Sequence, residues 1–160
     1  MDSAQFAVAF AQIVEPVLTA HGFSPIAAPR GWITPEKLFE CNNRWFASSW
    51  DYRDLYLDAH LGRLFTFRDV LPRVIVLGPL RFSVTCANRP PGFIEGQLRE
   101  IAERLPTVLA TFEETLPSAM REARTAPIGA DETTKRYVAE FASHLGDELT
   151  LADWRHLTAR

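Results

Sequence analysis

Apolar residues return at Phe6, Phe10, Ile13, Val17 and Leu18, the three- and four-residue spacing of one helix face, and Gly22 follows where a left-handed helix end is wanted. A first helix over 3–21 is expected, bent or shortened by Pro16, which lacks a backbone donor. From about residue 32 the period changes to two. Residues 55–61 (LYLDAHL) and 80–86 (LRFSVTC) alternate apolar and polar positions, the signature of a sheet with one face on a core and the other in water. That alternation predicts Leu55, Leu57, Ala59, Leu61, Leu80, Phe82, Val84 and Cys86 in the core. Tyr56, Asp58, His60, Arg81, Ser83 and Thr85 then take the wet face.

Segments 38–41 and 44–50 flank Asn42-Asn43, a pair that tolerates the positive φ angles of a two-residue hairpin turn. Gly62 is expected to end the strand begun at 55, with 64–67 extending the sheet or forming an irregular edge. Residues 74–77 (VIVL) lack polar alternation, as in a strand covered on both faces, and Gly78-Pro79 is expected to break the ladder before residue 80. After Pro90-Pro91-Gly92, the series Ile94, Leu98, Ile101, Leu105, Leu109, Phe112 and Leu116 predicts a long helix packed across the sheet, kinked or split at Pro106. A linker with Pro127 and Gly129 follows. Two short helices are expected beyond it, one carrying Tyr137, Val138, Phe141 and Leu145, the other Leu151, Trp154 and Leu157.

The fold class is therefore α+β. A mostly antiparallel strand meander over about 32–88 is packed by an N-terminal helix and a long kinked helix, with C-terminal helices appended. The expected division is an α+β domain over 1–124 and a helical appendage over 125–160.

Composition narrows the function classes. At 160 residues, with 47% hydrophobic and 23% charged positions, the chain can bury a core without disulfides or a metal. A net charge of -3 lacks the basic balance of a nucleic-acid binder. Cys41 and Cys86 lie far apart in apolar strand contexts and are expected to be reduced thiols. Asp2 and the absence of a basic region ahead of the first apolar stretch argue against a signal peptide, and no apolar run is expected to reach the length of a membrane span. A cytoplasmic location follows by elimination, with no membrane partner.

No cofactor or metal is expected, since His21, His60, His144 and His156 show no ligand spacing and neither cysteine belongs to a Cys-x-x-Cys pair. A nucleophilic set assembled from Cys41 or Cys86 with His60 and Asp58 rests on residue types alone. Asp51, Asp54 and Asp58 are the densest acids of the strand region, but the first two sit where turn residues bond their own backbone. No phosphate-cradling glycine loop or Gly-x-Ser-x-Gly elbow occurs.

The aromatic group Trp45, Phe46, Trp50, Tyr52 and Tyr56 carries more weight, because neighbouring residues of a strand point to opposite sides and one face cannot bury them all. Trp50, Asp51, Tyr52, Arg53, Asp54, Tyr56 and Asp58 are accordingly the candidate partner-binding residues, combining aromatic anchors with orienting charges. The rival is an enzyme or small-molecule binder with a pocket between sheet and helix, lined by Trp32, Tyr56, His60, Arg81 and Cys86.

Over residues 6–88 the chain resembles a group of small bacterial proteins of the toxin-immunity type. The resemblance is carried by a helix ending in Gly22-Phe23, a strand hairpin, and the phrase Trp50-Asp51-Tyr52-Arg53-Asp54-Leu55-Tyr56-Leu57 running into Leu61-Gly62-Arg63-Leu64. It implies a protein that binds another protein, such as a toxin encoded nearby, transfers no catalytic residue, and does not cover 90–160. A secretion-chaperone-like dimer is a variant of the same class, so a homodimer stays open.

Overall fold

The computed structural model describes residues 1–27, 37–67 and 73–125. Among them a five-stranded antiparallel sheet carries helices on one face, the α+β architecture expected from the change of period along the chain. Trp32 and the appendage expected beyond residue 125 lie outside the described residues.

Helix α1 (Ser3–Ile13) starts from a reciprocal cap. The Asp2 carboxylate accepts from the Gln5 amide at 2.8 Å, and the Gln5 side-chain oxygen accepts from the Asp2 amide at 2.9 Å. The chain breaks at Val14 and resumes as α2 (Glu15–Ala20), which takes Pro16 into its first turn, where a missing donor costs nothing. The expected single helix is thus two. By length and composition Ser3–Ala20 is apolar enough to cross a membrane, with a mean hydropathy of 1.2 over 18 residues, contrary to the expectation that no apolar run reaches that length. Its large side chains Phe6, Phe10, Val14 and Leu18 are buried in the protein core.

The strands β1 (Ser24–Pro25), β2 (Lys37–Cys41), β3 (Arg44–Asp51), β4 (Tyr56–Phe67) and β5 (Arg73–Thr85) lie side by side in chain order. Asn42 and Asn43, at φ 48° and 63°, make the tight β2–β3 turn the sequence predicts. Register places Phe39, Phe46, Leu61 and Leu80 in one row across the inner face, and Trp50, Leu57 and Val84 in another. Onto these rows pack α1, α2, the α3 helix (Phe93–Ala110) through Leu98, Ile101 and Leu105, and the α4 helix (Phe112–Thr125) through Phe112 and Leu116. The Phe10 ring centroid lies 6.0, 5.8 and 6.1 Å from those of Phe6, Phe39 and Phe46, so aromatic contacts tie α1 to the hairpin.

The alternation assigns both faces correctly with one exception. Leu57, Ala59, Leu61, Leu80, Phe82 and Cys86 are buried and Val84 packs half-buried beside them. Leu55 does not join them: it adopts φ 52° in the turn before β4 and is 38% exposed, so the strand begins at Tyr56.

Neither glycine ends a strand. β4 runs through Gly62 and β5 through Gly78 and Pro79, with a register shift between Leu61 and Arg63. A Cβ on Gly78 would fall into the Gly62 Cα and the Leu61 carbonyl, so the two strands cross at this point only because Gly78 has no side chain. The β3 ladder stops at Gly62, and beyond it β4 and β5 continue as a two-stranded ribbon, pairing Arg63 with Leu77 and Phe67 with Arg73. Val76 of this ribbon packs with Leu38 of β2 and Ala47 of β3, and Ile26 and Trp45 lie against them. These residues are on the face opposite the helices, so the ribbon turns back over that face and closes a second, smaller core.

α3 passes through Pro106, and the split expected there falls later, at Thr111. The α4 helix is fixed to the hairpin end by Arg63, which is buried. Its guanidinium donates to the Asn42 carbonyl at 3.2 Å and to both carboxylate oxygens of Glu113 at 3.0 and 3.3 Å. The guanidinium carbons of Arg63 and Arg44 lie 5.2 and 5.1 Å from the Phe112 ring.

Candidate functional site

The outer face divides in two. One end is closed by the second core; the other, around the β3–β4 turn, stays open and carries the polar side chains of β4 and β5. Asp51 shapes the turn, its Oδ1 accepting from the backbone amides of Arg53 at 2.8 Å and Asp54 at 3.2 Å. These two amides hold its carboxyl below the usual carboxylate range, against a small opposing effect of burial and with the smallest contribution from the Arg53 charge. The turn then projects Tyr52, 52% exposed, Leu55, and Tyr56, 37% exposed. The Arg53 guanidinium lies 5.7 Å from the Tyr52 ring, and its Nε donates to the Tyr52 hydroxyl at 3.4 Å.

Behind the turn runs a chain of hydrogen bonds across β4 and β5. The Ser83 hydroxyl lies 2.7 Å from the Tyr56 hydroxyl and 2.6 Å from Asp58 Oδ1. His60 Nε2 is 4.0 Å from the same carboxylate oxygen, and Arg81 is the cross-strand partner of His60. Burial pushes the His60 imidazole below its usual value; the Asp58 carboxylate opposes this and the Arg81 charge adds to it. Ser49, Trp50, Asp51, Tyr52, Arg53, Asp54, Tyr56 and Asp58 together line an open cleft of about 530 Å³.

All seven predicted binding residues border this cleft, six of them with exposed or half-buried side chains. Trp50 is corrected: its side chain is 3% exposed, packs in the main core and donates from Nε1 to the Met1 carbonyl at 3.1 Å. Counting by twos from Phe46 through Ser48 puts Trp50 on the inner face.

The alternative pocket is not assembled as expected. Tyr56, His60 and Arg81 are on the outer face, whereas Cys86 is buried on the helix side of the sheet. Cys86 instead borders a second cleft of about 520 Å³, shared with Met1, Gln5, Trp50, Arg89 and Phe93 at the start of α3. Burial raises the Cys86 thiol above its usual value, with Arg89 and a backbone amide opposing, so it is not poised as a thiolate. Cys41 also packs on the inner side, and both cysteines are free. The sheet therefore separates either thiol from His60 and Asp58. Nor do Ser83, Asp58 and His60 form a nucleophile–base pair, because the imidazole meets the carboxylate rather than the hydroxyl. Among the described residues no group of three His, Cys, Asp or Glu side chains converges as a metal site would require.

Alternation puts Ser83 on the wet face, but its bridging of Tyr56 and Asp58 follows from the β4–β5 register, which the bulge conceals from the sequence. No family model, curated protein or solved structure shows a significant match to the chain.

Proposed function

We propose that this chain is a non-catalytic protein-binding domain of the immunity type, which occludes a partner protein such as a toxin through the β3–β4 turn and the open half of the outer sheet face. The observation that carries this reading is the concentration of exposed apolar surface. Of five exposed large hydrophobic residues among those described, Tyr52, Leu55 and Tyr56 belong to this one turn, and Met1 and Val8 lie elsewhere. Exposed tyrosines displayed next to an arginine, Arg53, are the composition of interface anchors. The hydrogen bonds of Tyr56, Ser83 and Asp58 add rigidity, which lowers the ordering cost of binding.

The test begins with co-purification of the chain with the products of adjacent genes. A double variant Tyr52→Ala/Tyr56→Ala should then weaken the recovered complex by at least about 2 kcal/mol, the level of an interface hot spot, with a near-normal melt. Unchanged affinity in a folded double variant removes this turn as the site. The cleft of about 520 Å³ beside α3 supports a second reading, a small-molecule binder. Recovery of a bound metabolite that protects Cys86 and Arg89 from modification would put that reading first.

A further inference from the structure

We infer that the cleft at the β3–β4 turn receives a basic segment of the partner, an arginine or lysine side chain lying against Tyr52 and Tyr56 and neutralised by the carboxylates along the cleft. This rests on the protein-binding reading and names the chemistry of its partner. The exposed Tyr52, Leu55 and Tyr56 define a docking surface, and its charge says what fits it. The cleft lining holds three carboxylates, Asp51, Asp54 and Asp58, against the single guanidinium of Arg53. Arg53 also shows how a cation is accommodated there: its guanidinium already lies over the Tyr52 ring.

The arrangement suits an extended cationic segment better than a bare ion. Asp51 points into its own turn and Asp58 toward Ser83 and His60, so the negative charge is distributed along the cleft instead of being focused at one point. The same spread of charge repels an acidic partner and speeds the encounter with a basic one.

The probe is a short acetylated and amidated peptide of alternating glycine and arginine, titrated into the isotope-labelled full chain while amide shifts are followed. A glycine–glutamate peptide and calcium chloride serve as controls. Shifts should move at 49–58 and at Ser83, with an affinity that falls as salt is raised. They should vanish in the double variant Asp51→Asn/Asp54→Asn, whose melt should match the parent, because an asparagine oxygen at position 51 still accepts from the Arg53 and Asp54 amides.

Equal shifts with the glutamate peptide, shifts centred outside the cleft, persistence in the double variant, or displacement of the arginine peptide by calcium would each overturn the inference. Failure of the two ideas is distinguishable. A protein partner lost on Tyr52→Ala/Tyr56→Ala but indifferent to the aspartate substitutions overturns the cationic occupant and leaves protein binding standing. Peptide binding as described, with no protein recovered, overturns protein binding instead.

Discussion

Replacing Trp50 separates core from interface. The side chain is 3% exposed, belongs to the main core opposite its cross-strand partner Leu57, and its Nε1 donates to the Met1 carbonyl. Trp50→Ala removes a buried indole and leaves a cavity, which costs about 3–5 kcal/mol. Trp50→Phe keeps most of the buried apolar area and loses one hydrogen bond. Because Met1 is exposed and its carbonyl can turn to water, that loss is at the low end of the usual range, about 0.5–1 kcal/mol. Tyr52→Ala, at an exposed ring, should stay within about 0.5 kcal/mol of the parent. For a chain of this length the alanine substitution at Trp50 converts to a melting shift of about 6–20 °C. Urea unfolding followed by far-ultraviolet circular dichroism, with the slope checked for constancy, gives all three values. A Trp50→Ala loss below about 1 kcal/mol would refute the core placement. Equal losses for phenylalanine and alanine would show that the hydrogen bond, not packing, holds the residue.

Gly78→Ala should destabilise by well over about 1 kcal/mol and disturb the amide shifts of Leu61 and Gly62, because the new methyl group meets backbone that cannot move aside cheaply; a parent-like melt would contradict the close crossing. His60 gives a pH signature. Its folded-state pKa lies below the ordinary value of 6.5, so the unfolded chain takes up the proton first and stability falls as pH drops below about 6.5, by at most about 1.4 kcal/mol per pH unit. His60→Gln should flatten that slope between about pH 6.5 and 5, and an unaltered slope would assign it to another group.

Much of the fold is legible in the chain because its physical causes are local. Two asparagines in succession supply the left-handed φ angles of the β2–β3 turn, and alternation over 57–61 and 80–86 reports which side chains face the helices. What escapes is set by pairing between distant residues. Gly62 and Gly78 each look like a strand end, and only their meeting across β4 and β5 shows that they are one bend. Leu55 carries no mark of a left-handed conformation, since leucine is a poor choice for it, so its apolar side chain is read as core. Trp50 reads as a surface residue beside Tyr52 and Tyr56, although its parity with Phe46 places it inside. The polar chain through Ser83 needed the hairpin register, whereas the turn acids at 51 and 54 were visible from sequence position alone.

The folded-back ribbon gives the sheet two tiers of cooperativity. Amides of β4 between 56 and 61, flanked by β3 and β5, and those of the edge strand β5 that donate to β4, lie over the helix-facing core and should exchange with solvent deuterium only on global unfolding. Those between 64 and 67 and between 73 and 76, beyond the Arg63 anchor, pair only with one another and should exchange through a cheaper local opening. Each opening separates Val76 from Leu38 and Ala47 and lays bare a small apolar strip flanked by strand edges, the type of surface through which chains associate. Colloidal behaviour and thermal stability are therefore governed by different parts of the molecule. Weakening the ribbon would shorten the shelf life of a concentrated solution well before it lowered the midpoint of a melt.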